Sequence, residues 1–231
     1  MHEIFDWNDE KTWPLSFFGK SYLDEDRPHP RKVKQFLSTY SHVKAYHACR
    51  PSNISDYYKN GIYPRSYEEL LNDFMAFIEE TIKITVPLEK VEMVRKKIGT
   101  FHDKRVFLAL DKNTLIEEAG HYAIYGSEFI HAMAVHLGEN GVPITREHLK
   151  RRGTPTIFTV VFPIDKSSDD DVNSLVTKIN NAIYEKSIST RVDFTFEFFT
   201  AIDADSIVAH EHPKRIRDQH NSCWYYADTV V

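Results

Sequence analysis

The chain has 231 residues, 42% of them hydrophobic and 27% charged, with a formal net charge of −5 and a sequence pI of about 6.2. That apolar content is enough to bury a full core without staples. The negative balance excludes a global positive field that would draw the whole chain onto nucleic acid or an anionic membrane. The two cysteines, Cys49 and Cys223, exclude a disulfide framework or a cysteine-rich metal site.

The first residues, "MHEIFDWNDEKTWPLSFF", carry acids where a signal peptide needs a basic segment and an apolar run, and no stretch approaches the roughly eighteen apolar residues of a membrane span. A reducing, cytoplasmic setting with no membrane partner is expected. Residues 1 to about 40 read as an irregular N-terminal extension, with "PHP" at 28 to 30 blocking a helix until "RKVKQFLSTY". "HVKAYHACR" then reads as a strand with Val43, Ala45 and His47 on one face and Lys44, Tyr46 and Ala48 on the other. "SNISDYYKNGI" follows as a short helix, capped by Ser52 or Asn53 and stopped at Asn60-Gly61.

Ser66 and Glu69 form a capping box for a helix over 67 to 83, whose face carries Leu70, Leu71, Phe74, Phe77 and Ile78. Pro87 ends it, and "LEKVEMVRKKIG" makes a second helix up to Gly99. Residues 66 to 99 thus read as a helical insertion within a single domain spanning 1 to 231. "KRVFLALD" is a short buried strand, and Thr114 with Glu117 suggests another capping box for a helix running to about Leu137. In that helix Tyr122, Tyr125 and Glu128 recur every third residue and share one side. "HLKRRG" is a small helix, "TPTIFTVVFPID" a β-branched strand, "DDDVNSLVTKINNAIYEK" an amphipathic helix with acids at its start, and "RVDFTFEFFTAI" a long strand. Helices and strands intermix without regular βαβ alternation, so the class is α+β.

The common phosphate, dinucleotide, hydrolase and zincin signatures are absent. "HEHP" at 210 to 213 spaces two histidines for one side of a strand but supplies no third metal ligand, so no metal is expected. Three basic runs, "RPHPRKVK" (27 to 34), "REHLKRR" (146 to 152) and "HPKRIRDQH" (212 to 220), read first as solvated faces and alternatively as phosphate contacts.

"YHACR", then "GI", then "RVFLALD" followed by tyrosines on a helix, then "FEFFTAIDADSI", resembles in order the ADP-ribosyltransferase fold, and most closely its diphtheria-toxin and poly(ADP-ribose) polymerase branch. The resemblance covers about residues 43 to 210 and implies a split β-sheet that binds NAD as a substrate. It places His47 on the adenosine-side ribose, and Ala48 where the family has a glycine whose backbone holds the nicotinamide amide. Cys49 stands where the family has a small hydroxyl residue, and Phe107 where the strand usually offers a tyrosine. Tyr122 corresponds to the tyrosine that stacks on nicotinamide, with Tyr125 beside it, and Glu197 to the catalytic glutamate. Glu128, on the tyrosine side of its helix, is a rival acid for the same pocket. Arg50 either binds a pyrophosphate or pairs with an acid in the sheet.

The activity implied is transfer of ADP-ribose from NAD to a macromolecular acceptor, protein or nucleic acid, with release of nicotinamide. The chemistry suits a carboxylate, because breaking the nicotinamide-ribose bond develops a sugar cation. The alternatives are a non-catalytic nucleotide- or partner-binding module, to which Ala48 and Phe107 point, and an NAD glycohydrolase.

Overall fold

The structure, a computed structural model, describes residues 3–15, 30–99, 104–187 and 191–227. Arg27, Pro28 and His29 of the first basic run lie outside the described residues.

The extension is not wholly irregular. Strand β1 (Glu3–Asp6) pairs parallel with β2 (Tyr40–Cys49), and helix α1 (Pro30–Thr39) runs directly into β2. Pro30 sits at the first helical position, where its missing N–H costs nothing. Helix α2 (Ser55–Asn60) has Asn53, whose side-chain oxygen accepts from the Ser55 N–H at 3.1 Å, just before it, and Gly61 at φ 86° after it. Gly61 is required: a Cβ there would lie 2.1 Å from the Ile202 carbonyl oxygen.

The Ser66–Glu69 capping box is formed at the start of α3 (Tyr67–Phe77). The expected helix to 83 instead ends its α segment at Phe77, continues as one wide turn through Ile82, and stops at Lys83, whose left-handed φ of 63° closes it. Helix α4 (Leu88–Ile98) follows Pro87 and ends at Gly99 as the sequence predicts.

Strand β3 (Val106–Ala109) leads into three short helices rather than one long one: α5 (Lys112–Glu117), α6 (His121–Tyr125) and α7 (Glu128–Glu139). Asp111, not Thr114, caps α5, while the Thr114 hydroxyl is turned inward onto the Val192 carbonyl at 3.1 Å. Gly126, at φ 91°, ends α6, and Ser127 recaps the chain for α7. Helix α8 (Arg146–Leu149), strand β4 (Thr156–Pro163) and helix α9 (Asp169–Tyr184) complete the middle of the chain. The long strand expected over "RVDFTFEFFTAI" is shorter than its pattern: β5 is Thr195–Phe198, and the chain bends at Phe199. Strand β6 (Ile207–Glu211) and a hairpin of β7 (Arg215–Asp218) and β8 (Cys223–Tyr226) close the described chain.

The main sheet has the order β5-β3-β2-β4-β6, all antiparallel, with β1 added to β2. The architecture is therefore α+β, with the five main strands in one hydrogen-bonded sheet. Its joins differ in length. β2 and β4 pair over eight consecutive residues, whereas β2 meets β3 through the single pair Tyr46↔Ala109.

Alternation along these strands divides the interior into two cores. Val43 and Ala45 of β2, Leu108 of β3, Phe158, Val160 and Phe162 of β4, and Phe196 and Phe198 of β5 pack under α1 and α9. On the other face Tyr46, Ala48, Ala109 and Ile157 pack under α3, α4, α6, α7 and the β7–β8 hairpin. Tyr67 of α3 stacks on Phe129 of α7 at 4.3 Å, so the helical insertion shares this second core.

Candidate functional site

At the end of β2 the alternation sends His47 to the face of Val43 and Ala45 and leaves Ala48 on the opposite one. Where the short β2–β3 ladder stops, a side chain takes over: His47 Nδ1 lies 3.0 Å from the Phe107 carbonyl oxygen. A carbonyl only accepts, so Nδ1 carries the hydrogen and Nε2 is left as an acceptor. Burial pushes the imidazole pKa below its ordinary value, against the Phe107 hydrogen bond, which raises it. His47 is accordingly neutral at pH 7, with a fixed tautomer.

Phe107 is also the cross-strand partner of Glu197. The Glu197 carboxylate accepts from Arg105 Nη1 at 2.5 Å, and the Arg105 guanidinium lies 5.2 Å from the Phe199 ring centroid. Arg105, Phe107, Thr195, Glu197 and Phe199 share the face opposite the aromatic core, as alternation requires. The Asp171 carboxylate, near the start of α9, accepts from the Glu197 backbone N–H, which secures the outer edge of β5. His47 and Glu197 thus approach the Phe107 main chain from opposite faces, on strands about 10 Å apart at the usual spacing.

The turn segments of the motifs also meet. The Ile62 N–H donates to the Ile202 carbonyl at 3.0 Å and receives the reverse bond at 2.9 Å, which joins "GI" to the turn after Glu197.

Burial pushes the Cys49 thiol pKa up to about 12, only partly offset by a hydrogen bond with Tyr57. Arg50 takes neither of its expected roles. It is 7% exposed, and its guanidinium donates to the carbonyls of Arg152 at 2.6 Å, Ala123 at 3.4 Å and Lys150. Those bonds tie the end of β2 to α6 and to the turn after α8. A guanidinium occupied by three carbonyls is an internal clamp rather than an anion receptor.

The remaining predicted residues form a second group. The Tyr122 hydroxyl lies 3.4 Å from Glu128 Oε2, and its ring packs on His121 at 4.1 Å. Burial, then the Glu128 charge, pushes the Tyr122 phenol up to about 12. Tyr125 turns inward, donating to the fully buried Asp218 at 2.5 Å. Asn221 Nδ2 donates both to Asp218, at 2.9 Å, and to the Tyr125 oxygen, at 3.0 Å. His131 and His220 stack beside them at 4.3 Å. The sheet thus gathers His47, Ala48, Cys49, Phe107 and Glu197, whereas Tyr122, Tyr125 and Glu128 belong to a polar cluster under the hairpin, with Arg50 between the two groups.

Arg105 and Asp218 have no counterpart among the sequence candidates. Arg105 stands two residues before Phe107 and so shares its face, and Asp218 occupies the inward alternation of Ile216 in "RIRD". The two "HEHP" histidines have other partners: Tyr58 at 2.8 Å for His210, and the Pro155 carbonyl at 3.0 Å for His212. No group of three or more His, Cys, Asp and Glu among the described residues is placed to hold a metal, and none of the described helices is long and apolar enough to cross a membrane. No family model, curated protein or solved structure matches the chain.

Proposed function

We propose that the chain is an ADP-ribosyltransferase of the diphtheria-toxin and poly(ADP-ribose) polymerase type, using NAD as donor and a macromolecule as acceptor. The observation that carries this reading is the shared Phe107 main chain, which accepts from His47 on one side and pairs with Glu197 on the other. Three segments far apart in sequence, resembling three motifs of one family, are neighbours in one sheet. The Ile62–Ile202 bridge adds a fourth, joining "GI" to the motif that carries Glu197.

In the reaction the bond between ribose C1′ and the nicotinamide nitrogen breaks, and the nitrogen keeps the electron pair. The acceptor then bonds to C1′ and gives up a proton. Glu197, oriented by Arg105, supplies negative charge beside the developing sugar cation. On the opposite face the neutral His47, its Nδ1–H fixed by Phe107, holds the β3 main chain in place beneath Glu197. Tyr122 offers a π-face suited to a cationic ring, a contact worth roughly 0.5 to 2 kcal/mol.

A second reading is favoured by one feature of the same site. The Arg105–Glu197 pair compensates the catalytic charge, and with Ala48 and Phe107 at family positions it suits a module that binds a nucleotide without turnover. Incubation with NAD labelled in the adenine separates the readings. Label that becomes macromolecular and is released by protease or by nuclease supports transfer and identifies the acceptor. Free nicotinamide and free ADP-ribose without labelled macromolecule mean a glycohydrolase. Binding of NAD without any nicotinamide release leaves the binding module, and no binding at all removes the NAD assignment.

A further inference from the structure

The basic run 146 to 152 packs against the hairpin that carries part of the run 212 to 220. Asn221, in the turn of the β7–β8 hairpin, donates to Glu147 of α8 at 3.4 Å, and Lys150, just after α8, lies 5.3 Å from the Tyr225 ring centroid. Within the hairpin the register is Arg215↔Tyr226, Ile216↔Tyr225, Arg217↔Trp224 and Asp218↔Cys223. Ile216, Tyr225 and Asp218 are buried, so alternation turns Arg215, Arg217, Trp224 and Tyr226 outward together. The Arg215 guanidinium carbon stands 3.7 Å from the Trp224 ring centroid, and that of Arg217 5.7 Å.

Among the described residues Lys214, Arg215 and Arg217 make no ion pair with a carboxylate, and Asp218, next to Arg217 in sequence, is buried and held by Tyr125 and Asn221. A chain of net charge −5 therefore carries a local cationic face, and that face is interleaved with planar rings. Cations alone would suit any polyanion. Rings and guanidinium planes beside them suit a polyanion whose units stack, which is the combination by which single strands are held.

We propose that the outward face of the β7–β8 hairpin binds single-stranded nucleic acid. Lys214 and Arg217 meet phosphates, and the Arg215–Trp224 stack and Tyr226 present flat surfaces to bases. The assignment does not depend on NAD chemistry, so it can stand or fall separately.

Trp224 is its own reporter. Trp7 and Trp13 are buried in the aromatic core at 2% and 5% exposure, so quenching of tryptophan emission by an added strand reports the hairpin. The experiment titrates the full chain with fluorescein-labelled oligothymidine and oligouridine of about fifteen nucleotides, long enough for a module-sized site. Anisotropy and tryptophan emission are followed at about 50 and 200 mM salt. The expected result is saturable binding with quenching, weakened at least tenfold by the double variant Lys214→Gln with Arg217→Gln. Loss of two phosphate contacts would flatten the salt slope by about 1.4. Trp224→Leu should weaken binding and leave the salt slope unchanged, because it removes stacking and no charge. Tyr226→Ala repeats that test at an exposed position should Trp224→Leu unfold the hairpin. No saturable binding, equal affinity in the double variant, or binding of heparin as tight as that of the oligonucleotides overturns the proposal.

Discussion

The two faces of the sheet are built from different materials. Under α1 and α9 the interior is aromatic and aliphatic: Phe162 meets Phe196 and Phe198 edge to face at 5.0 and 5.1 Å, and Phe5 is ringed by Trp13, Phe36 and Tyr40. Under the hairpin, the opposite interior holds an arginine, an aspartate and a histidine, all at least nine-tenths buried. The first face is interchangeable mass, where volume and patterning decide stability. The second is a network whose members need one another, because a buried polar group without its partner costs more than the pair returns. Position-critical side chains accumulate on that second face, and Glu197 and Tyr122 are presented on the same side.

That contrast can be broken most directly at Asp218. Asp218→Ala leaves the Tyr125 hydroxyl and Asn221 without their acceptor, and the expected loss of stability is about 3 to 5 kcal/mol. Adding Tyr125→Phe should recover part of that loss, because the orphaned donor is removed. On the aromatic face Phe36→Leu and Phe196→Leu, which share no ring contact, should instead add. Urea melts of the singles and doubles check this. Simple additivity at Asp218 and Tyr125 would mean that the network is a set of independent bonds.

Acid should act on the polar face through His131. Burial, with help from the charges of His220, Arg146 and His121 and against Asp218, lowers the His131 pKa from 6.5 to about 4. Between those values the unfolded chain holds more protons than the folded one, so stability is full above pH 6.5 and falls as pH drops toward 4. The group accounts for about 2 kcal/mol of loss by pH 5. The Asp218 carboxylate is held below its ordinary value by Tyr125 and Asn221 despite burial, and its contribution is lost only at lower pH. His131→Phe keeps the ring stacking and removes the titration. Its urea midpoint should fall less than the wild type's between pH 7.5 and 5, and an unchanged slope would show that His131 is not the group responsible.

The candidate site offers a comparison in rate. Glu197→Gln keeps the shape and hydrogen bond to Arg105 but removes the charge that a sugar cation needs, so nicotinamide release should slow about a hundredfold with NAD affinity nearly unchanged. Glu128→Gln, in the polar cluster, should leave the rate close to wild type. If Glu128→Gln abolishes release and Glu197→Gln does not, the catalytic face has been assigned to the wrong group.

Much of the fold was legible because the local signals were strong. β2 and β4 are alternating or β-branched runs, and α3, α4 and α9 carry caps and stops that the structure uses. β1 was not legible, since four residues of "EIFD" gain their strand from pairing with β2. The every-third spacing of Tyr122, Tyr125 and Glu128 did foreshadow the Tyr122–Glu128 contact, yet Gly126 breaks the helix that was to carry it and Tyr125 faces inward. Of the site, the motif strands could be read singly, but not that β3 lies between β2 and β5, because strand order is a tertiary choice. Nor could a lone aspartate between arginine and glutamine announce that it is buried.

The smallest effect expected concerns the two thiols, one on each side of the same contrast. Cys49 lies against the aromatic core beside Tyr57, which itself stacks on Phe158 at 4.6 Å, and its thiol is pushed up to about 12. Near pH 8 that leaves it about a thousandfold fewer thiolates than an ordinary cysteine, and the thiolate is the reactive form. Cys223 is exposed at the start of β8. An aromatic disulfide reagent should therefore label one thiol per native chain promptly, and the second at the rate of unfolding. Peptide mapping of the prompt product should return Cys223. Prompt labelling of Cys49 would mean that the end of β2 opens in solution, and the His47–Phe107 bond, which sits two residues away, would have to open with it.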